Sequence, residues 1–293
     1  MMQTNYFGWL LGFSALLGLA CGSFLNVCIV RLPLGLSVVK PRSHCMTCGK
    51  PINAWQNIPI LSWLFLGGRC RACSKPIPFF YPLVELAIVL WFVYCAIQFG
   101  HGEQSAIAAV SSALLGWLLI GLLVMDAQSA LLPDAFTLGG GLMAVLLLAG
   151  GTISLPADAG TVLLTTPERI VLHRLLAIVI AAGSLLLVRW LYRRLRRRDG
   201  MGLGDVKMTA MLAAFLGLQL TVLAFLVACV AGSVYAAILL LQLRKKKSAK
   251  NTSRGTKEDE IPASVPFGCF LAIGGFYAVI FGGATLLWYA KFY

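Results

Sequence analysis

The chain has 293 residues, 59% of them hydrophobic and 12% charged, with a mean hydropathy of +0.85. Soluble domains carry about 25% charged residues, so the composition excludes one and requires an integral membrane protein. The net charge of +13 is not spread like a nucleic-acid footprint: of 24 Lys and Arg, seven lie in 31–78, seven in 189–207 and seven in 242–262. Basic loops between apolar runs are what the positive-inside rule produces.

In chain order, an apolar run over 6–30 predicts the first spanning helix. It has no basic segment ahead of it and exceeds the length of a signal-peptide core, so it is read as a retained helix. The basic loop 31–78 follows. Helix 2 is expected over 79–99, an uncharged-to-acidic turn over 100–105, and helix 3 over 106–125. The short loop Asp126–Asp134 leads into helix 4 over 135–150, and 151–168 carries no basic residue until helix 5 over 170–190. After the basic segment 189–207 comes an apolar run, 206–243. As one helix it would be about 57 Å long, against a hydrocarbon core of about 30 Å. A division into helices 6 and 7 near Gly217-Leu218-Gln219 is therefore expected. The stretch 244–262 reads as a flexible charged linker before helix 8, over 265–290.

The expectation is an all-α polytopic membrane protein with about eight transmembrane helices. Residues 1–30 form the first helix, 31–78 a cytoplasmic loop and 79–293 a seven-helix membrane domain. Eight spans place the three basic clusters, Asp126 and Asp205 on one side, the cytoplasmic one, with both termini opposite.

Nine cysteines are present. Cys21, Cys28, Cys95, Cys229 and Cys269 stand singly in apolar runs, as packing residues do. The other four form two knuckles in the basic loop, Cys45-Met-Thr-Cys48 and Cys70-Arg-Ala-Cys73. Paired CxxC knuckles present four thiolates tetrahedrally to zinc, and four thiolates leave no open position for water, so the metal would be structural. Lys50, Arg69, Arg71 and Lys75 offset thiolate charge, and His44 is read as flanking the site. Trp55 and Trp63 sit among Pro and Leu as in a membrane-interface segment. No recognition helix or aromatic platform points to nucleic acid, and membrane lipids are the expected surroundings.

Two carboxylates stand where a membrane edge should be. Asp126 ends one apolar run, and Asp205 follows Gly202-Leu-Gly204 at the start of another. Carboxylates near hydrocarbon are expensive. Two of them a few ångströms apart share a proton, so one activates water while the other protonates the carbonyl or leaving amine. The pair is therefore read as proteolytic. A proton-coupled transporter using the same acids, or a zinc-loop secretion scaffold without chemistry, stay open at this point. Asp134, after Pro133, reads as a helix N-cap.

Ordered along the chain, Gly22-Ser-Phe-Leu-Asn-Val27 with Arg31-Leu-Pro33, Pro41-Arg-Ser-His-Cys45, Asn57-Ile-Pro-Ile-Leu-Ser-Trp63, Gly68-Arg-Cys70 and Tyr81-Pro-Leu-Val-Glu85 resemble the bacterial type IV prepilin peptidases. So do Asp126 with Leu132-Pro-Asp134, Gly202-Leu-Gly-Asp205-Val-Lys207, and Val265-Pro-Phe-Gly268. In that family Pro more often follows the last motif, where this chain has Cys269. The resemblance implies a bifunctional leader peptidase and N-methyltransferase of the bacterial inner membrane, acting at its cytoplasmic face. Asp126 and Asp205 would be catalytic, and Cys45, Cys48, Cys70 and Cys73 would hold structural zinc. Type IV prepilins and pseudopilins would be the substrates, serving pili or type II secretion. S-adenosylmethionine would be the methyl donor, with Glu85 a candidate for methylation or for holding helices together. Archaeal relatives lack both the zinc loop and the methylation, so the loop favours the bifunctional reading.

Overall fold

A computed structural model of the chain describes residues 2–102, 104–150, 167–197, 200–250 and 266–292. Its α-helices are α1 (Met2–Arg31), α2 (Leu61–Phe65), α3 (Phe80–Gly100), α4 (Ala106–Ser129), α5 (Asp134–Gly150), α6 (Pro167–Arg196), α7 (Leu203–Lys250) and α8 (Phe267–Ala290). Among the described residues the only β pairings are two isolated bridges, His44 with Pro51 and Arg69 with Pro76. Among the described residues six helices are long and apolar enough to cross a membrane, and the apolar part of α5, Asp134–Leu148, is shorter. The chain is a polytopic all-α membrane protein.

Lipid tails are as apolar as leucine, so spanning helices associate through close packing rather than hydrophobic exclusion. The contact between α1 and α3 shows how. A Cβ on Gly22 would stand 2.8 Å from the Glu85 Cα, and one on Gly18 would stand 2.9 Å from the Val89 Cα. The two backbones therefore touch along successive turns. On the other side of the molecule α7 packs against α5, α6 and α8, while α4 joins the halves by packing on α3 and α8. Leu25, Ile88, Leu119, Met125, Leu212 and Leu271 fill the core where these helices meet.

The long apolar run is broken where the sequence suggests. Gly217 has φ 78° and ψ 176°, outside any helical conformation. It separates α7a, residues 203–216, from α7b, residues 218–250. A positive φ of this kind is cheap only for glycine. The break leaves the last carbonyls of α7a outside a helix ladder. The guanidinium of Arg174, 3% exposed on α6, packs directly against Gly217 and would collide with a Cβ there. A cation with several N–H donors suits the carbonyl end of a helix.

Three expectations need correcting. The expected eight spans resolve into six helices of spanning length and two shorter segments: α7a is about 21 Å long at 1.5 Å per residue. Helix α6 continues to Arg196, six residues beyond the expected end of helix 5, and so takes up the first part of the basic segment 189–207. The expected flexible linker 244–262 is helical as far as Lys250, because Arg, Lys and Ala are good helix formers. The rest of it, and the loop over 151–166, lie outside the described residues.

Candidate active site

Asp126 lies on the last turn of α4. That helix stops at Ala130, in the left-handed conformation with φ 51°, whose N–H bonds the Asp126 carbonyl at 2.9 Å. A helix C-terminus is an unfavourable place for a carboxylate, since the dipole is negative there. The offset comes from another helix. Pro266 caps the start of α8, and the third helical residue, Cys269, donates its backbone N–H to Asp126 Oδ2 at 2.9 Å. The Asp126 side chain, 6% exposed, thus sits on the positive end of α8. Gly268 makes the approach possible: a Cβ there would be 2.8 Å from Oδ2.

Asp205 is the third residue of α7. Its half-buried carboxylate turns back toward the backbone N–H of Gly202, half of the reciprocal arrangement by which a third-position acid caps a helix start. A Cβ on Gly202 would stand 3.3 Å from Asp205 Oδ2. Helix α6 braces this glycine turn. Arg189 Nη1 donates to the Met201 carbonyl at 2.9 Å, and the Tyr192 ring packs so closely on Gly200 that a Cβ there would be 2.6 Å from it.

The two aspartates, 79 positions apart in the sequence, are brought into one site. Leu132 wedges between their supports, in contact range of both Gly204 and Gly268. Beside them, Lys207 Nζ pairs with Asp134 Oδ1 at 2.6 Å. This corrects the reading of Asp134 as an N-cap. It is the first residue inside α5, and the Pro133 carbonyl, not the Asp134 side chain, takes the Phe136 and Thr137 amides at 3.0 and 3.1 Å. Asp134 instead ties the start of α5 to the start of α7.

The four loop cysteines form a second cluster. Their sulfurs all lie within 4.8 Å of one another, and Cys45 Sγ is 3.8 Å from Cys73 Sγ. A tetrahedron with zinc–sulfur bonds of about 2.3 Å has edges of about 3.8 Å, so the donor set fits a zinc ion. Each knuckle is built alike. The first cysteine's N–H bonds the carbonyl five residues on (Lys50, Lys75), and the N–H of Gly49 or Ser74 bonds back to the first cysteine's carbonyl. The backbone amides of Cys48 and Thr47 hold the Cys45 thiol down to about 6. At Cys73 the Lys75 amide acts the same way, but burial and the three other thiols outweigh it and push that thiol up to about 11. His44 stands outside the cluster, with Nδ1 3.1 Å from the Arg42 carbonyl.

Glu85 is buried on α3 and already engaged. Oε2 accepts the Ile60 backbone N–H at 2.7 Å, and Oε1 accepts from Asn26 Nδ2 at 3.3 Å. Asn26 also bonds the Tyr81 carbonyl at 3.0 Å. Ile60 has φ 60° and ψ −53°, a strained geometry for a β-branched residue. Glu85 thereby fastens the cysteine-bearing loop to α1 and α3.

Sequence reasoning missed four participants: Gly268, the Cys269 amide, Arg189 and Ile60. Gly268 carried a signal in its motif, but was read only as the start of a helix. Cys269 was read as packing, and Arg189 as a topology charge.

Two family models match the chain: the Bacterial Peptidase A24 N-terminal domain over residues 16–99 and the Type IV leader peptidase family over residues 113–237. A prepilin leader peptidase/N-methyltransferase of Aeromonas hydrophila is 35% identical over 94% of this chain and 91% of its own. One from Pseudomonas putida is 33% identical over 96% and 93%. One from Burkholderia pseudomallei (strain K96243) is 33% identical over 94% and 86%. No solved structure matches. The four-cysteine loop falls within the first matched region and both site aspartates within the second, and with relatives of this identity along nearly its whole length, the chain belongs to the type IV leader peptidase family.

Proposed function

We propose that Asp126 and Asp205 are the catalytic pair with which this membrane enzyme, a leader peptidase and N-methyltransferase, cleaves its substrates. The observation that carries the assignment is their convergence from the ends of α4 and α7: one methyl group of Leu132 lies against both Gly204, next to Asp205, and Gly268, which abuts the Asp126 carboxylate. Two such carboxylates share one proton. The ionised one takes a proton from water as its oxygen attacks the scissile carbonyl, and the protonated one hydrogen-bonds the carbonyl oxygen. When the tetrahedral adduct collapses, a proton passes to the leaving amine. The α8 N-terminus holds Asp126 in place through the cycle, and the glycine turn holds Asp205.

The substrates are type IV prepilins and pseudopilins, each presenting a short basic leader before an apolar helix. The site opens at the cytoplasmic face of the inner membrane, the side that bears the basic clusters. The four cysteines hold structural zinc. S-adenosylmethionine supplies the methyl group placed on the amine that cleavage releases. Glu85 already accepts one bond at each carboxylate oxygen, from Ile60 and from Asn26. We assign Glu85 to fastening the loop instead.

The test is incubation of purified wild type, Asp126→Asn and Asp205→Asn with a prepilin substrate and labelled methyl donor, read by mass. Each variant is expected to insert, retain zinc and lose cleavage by at least about 10³-fold, about 4 kcal/mol of barrier. Cleavage by either at a near wild-type rate would refute the assignment.

A further inference from the structure

The four-cysteine loop carries large apolar side chains on its outside. Trp55 is 81% exposed and Phe65 86%, and Leu61 and Leu64 are exposed beside them. Leu61, Leu64 and Phe65 belong to α2 and Trp55 precedes it, and the inward side of α2 is fixed: Trp63 Nε1 donates to the Ile77 carbonyl at 3.2 Å, and its ring meets Phe79 edge-on at 5.5 Å. Phe79 immediately precedes α3, so this end of the loop is pinned where a spanning helix begins.

Depth follows from the Glu85 contact. Glu85 lies five residues inside α3, but its side chain points back toward the helix start: the Asn26 Nδ2 that bonds its Oε1 also bonds the Tyr81 carbonyl, so the carboxylate stands at the first turn. Asn26 lies five residues before the end of α1. The Ile60 amide reaches Glu85, so the chain at Ile60 is level with the first turn of α3 rather than beyond it. Irregular backbone is tolerated at such depth only if its amides are satisfied. The amides at 56, 60–62, 64 and 66–68 have acceptors within the loop or on Glu85.

Charge identifies what covers this surface. Residues 31–78 contain seven Lys and Arg and no Asp or Glu. Lys40, Arg42, Lys50, Arg69, Arg71 and Lys75 are all exposed, a surplus larger than the charge that four thiolates and one divalent ion leave behind. Apolar side chains pointing outward within a basic rim, level with the start of a spanning helix, are what an interfacial membrane element requires. Anionic headgroups then add about 1 kcal/mol per basic residue near the surface.

We propose that residues 54–65 form a re-entrant wedge seated in the headgroup–acyl boundary, with Trp55, Leu61, Leu64 and Phe65 in lipid and the basic residues on anionic headgroups. The zinc centre is thereby held on the membrane surface rather than free in the cytosol.

The experiment reconstitutes the full-length protein in vesicles of phosphatidylcholine, with and without phosphatidylglycerol. The Trp55 signal is isolated as the difference between wild type and Trp55→Phe. Lipids brominated near the headgroup should quench that signal at least about twofold more than lipids brominated at the chain ends, and iodide should barely reach it. Phosphatidylglycerol should increase the quenching, and Leu61→Ser with Phe65→Ser should shift Trp55 emission toward that of water-exposed tryptophan. Free quenching by iodide would overturn the proposal. So would protection that develops only on adding a substrate helix, which would make the surface a substrate dock. Equal lipid quenching without phosphatidylglycerol would overturn the headgroup assignment. Bound zinc, measured in every variant, reports whether the loop is folded.

Discussion

The backbone N–H of Cys269 donates a 2.9 Å hydrogen bond to Oδ2 of Asp126, joining residues 143 positions apart. The bond needs Gly268 beside it, because any side chain there would enter the carboxylate's space. Gly268→Ala should therefore displace Asp126 and lower the rate of cleavage by at least about tenfold, about 1.4 kcal/mol, while the four-cysteine loop keeps its zinc. Cys269→Ala, which retains the amide, should keep the larger part of the activity. Peptidase rates and metal content measured side by side check both.

Lys207 and Asp134 tie together two helix starts at the site. Their side chains are 32% and 61% exposed, and exposed ion pairs contribute about 0.2–1 kcal/mol. Lys207→Met should thus shift thermal stability little. It should slow cleavage several-fold, because the pair sets how α7, and Asp205 on it, sits against the segment after Asp126. Reversal of the pair, Asp134→Lys with Lys207→Asp, should recover part of the lost rate if position is what matters. A thermal loss as large as the catalytic one would instead assign the pair to folding.

How much of this was legible depended on how local each signal is. The spanning runs, the paired knuckles and the break at Gly217 are written in short windows, because hydropathy, CxxC spacing and a glycine followed by polar Gln219 need no distant partner. Asp126 and Asp205 were legible as costly residues at a common depth. What holds them was not. The Asp126 support is an amide on α8, and backbone groups leave no mark of their own in a sequence. Arg189 sat in a tract whose charge already had an explanation in topology, which hid its bond to Met201. Asp134 misled because Pro-Asp before a helix resembles a cap, while its partner lies 73 residues away.

Zinc binding at the four cysteines should release protons. Metal binds thiolates, and in the metal-free cluster Cys45 already ionises near pH 6 while Cys73 holds its proton to about 11. Titration of stripped protein with zinc at pH 8, in buffers of different ionisation enthalpy, should therefore show net proton release. Affinity should fall as pH falls, because protons then compete for every thiolate. Cys45→Ser with Cys48→Ser should abolish the release, and should cost methylation or stability before it costs peptide cleavage. Zinc uptake with no proton release would mean that the thiols are not the ligands.

The break in α7 sets the far end of the helix that begins beside Asp205. Gly217 sits at a φ of 78° with the Arg174 guanidinium against it, so Gly217→Ala faces two penalties at once. Alanine is strained at positive φ, by roughly 1–2 kcal/mol, and its methyl group would push a buried cation from the end of α7a. Arg174→Met removes the cation but leaves the glycine relaxed, so only the packing of the guanidinium against the break is lost and the cost should be the smaller of the two. If the guanidinium and the glycine act as one unit, the double variant should be less destabilised than the sum of the two singles, since no guanidinium remains for the new methyl to strike. Thermal unfolding of all four proteins in one detergent provides the cycle. Simple additivity would show that the break is set by Gly217 alone, with Arg174 merely nearby.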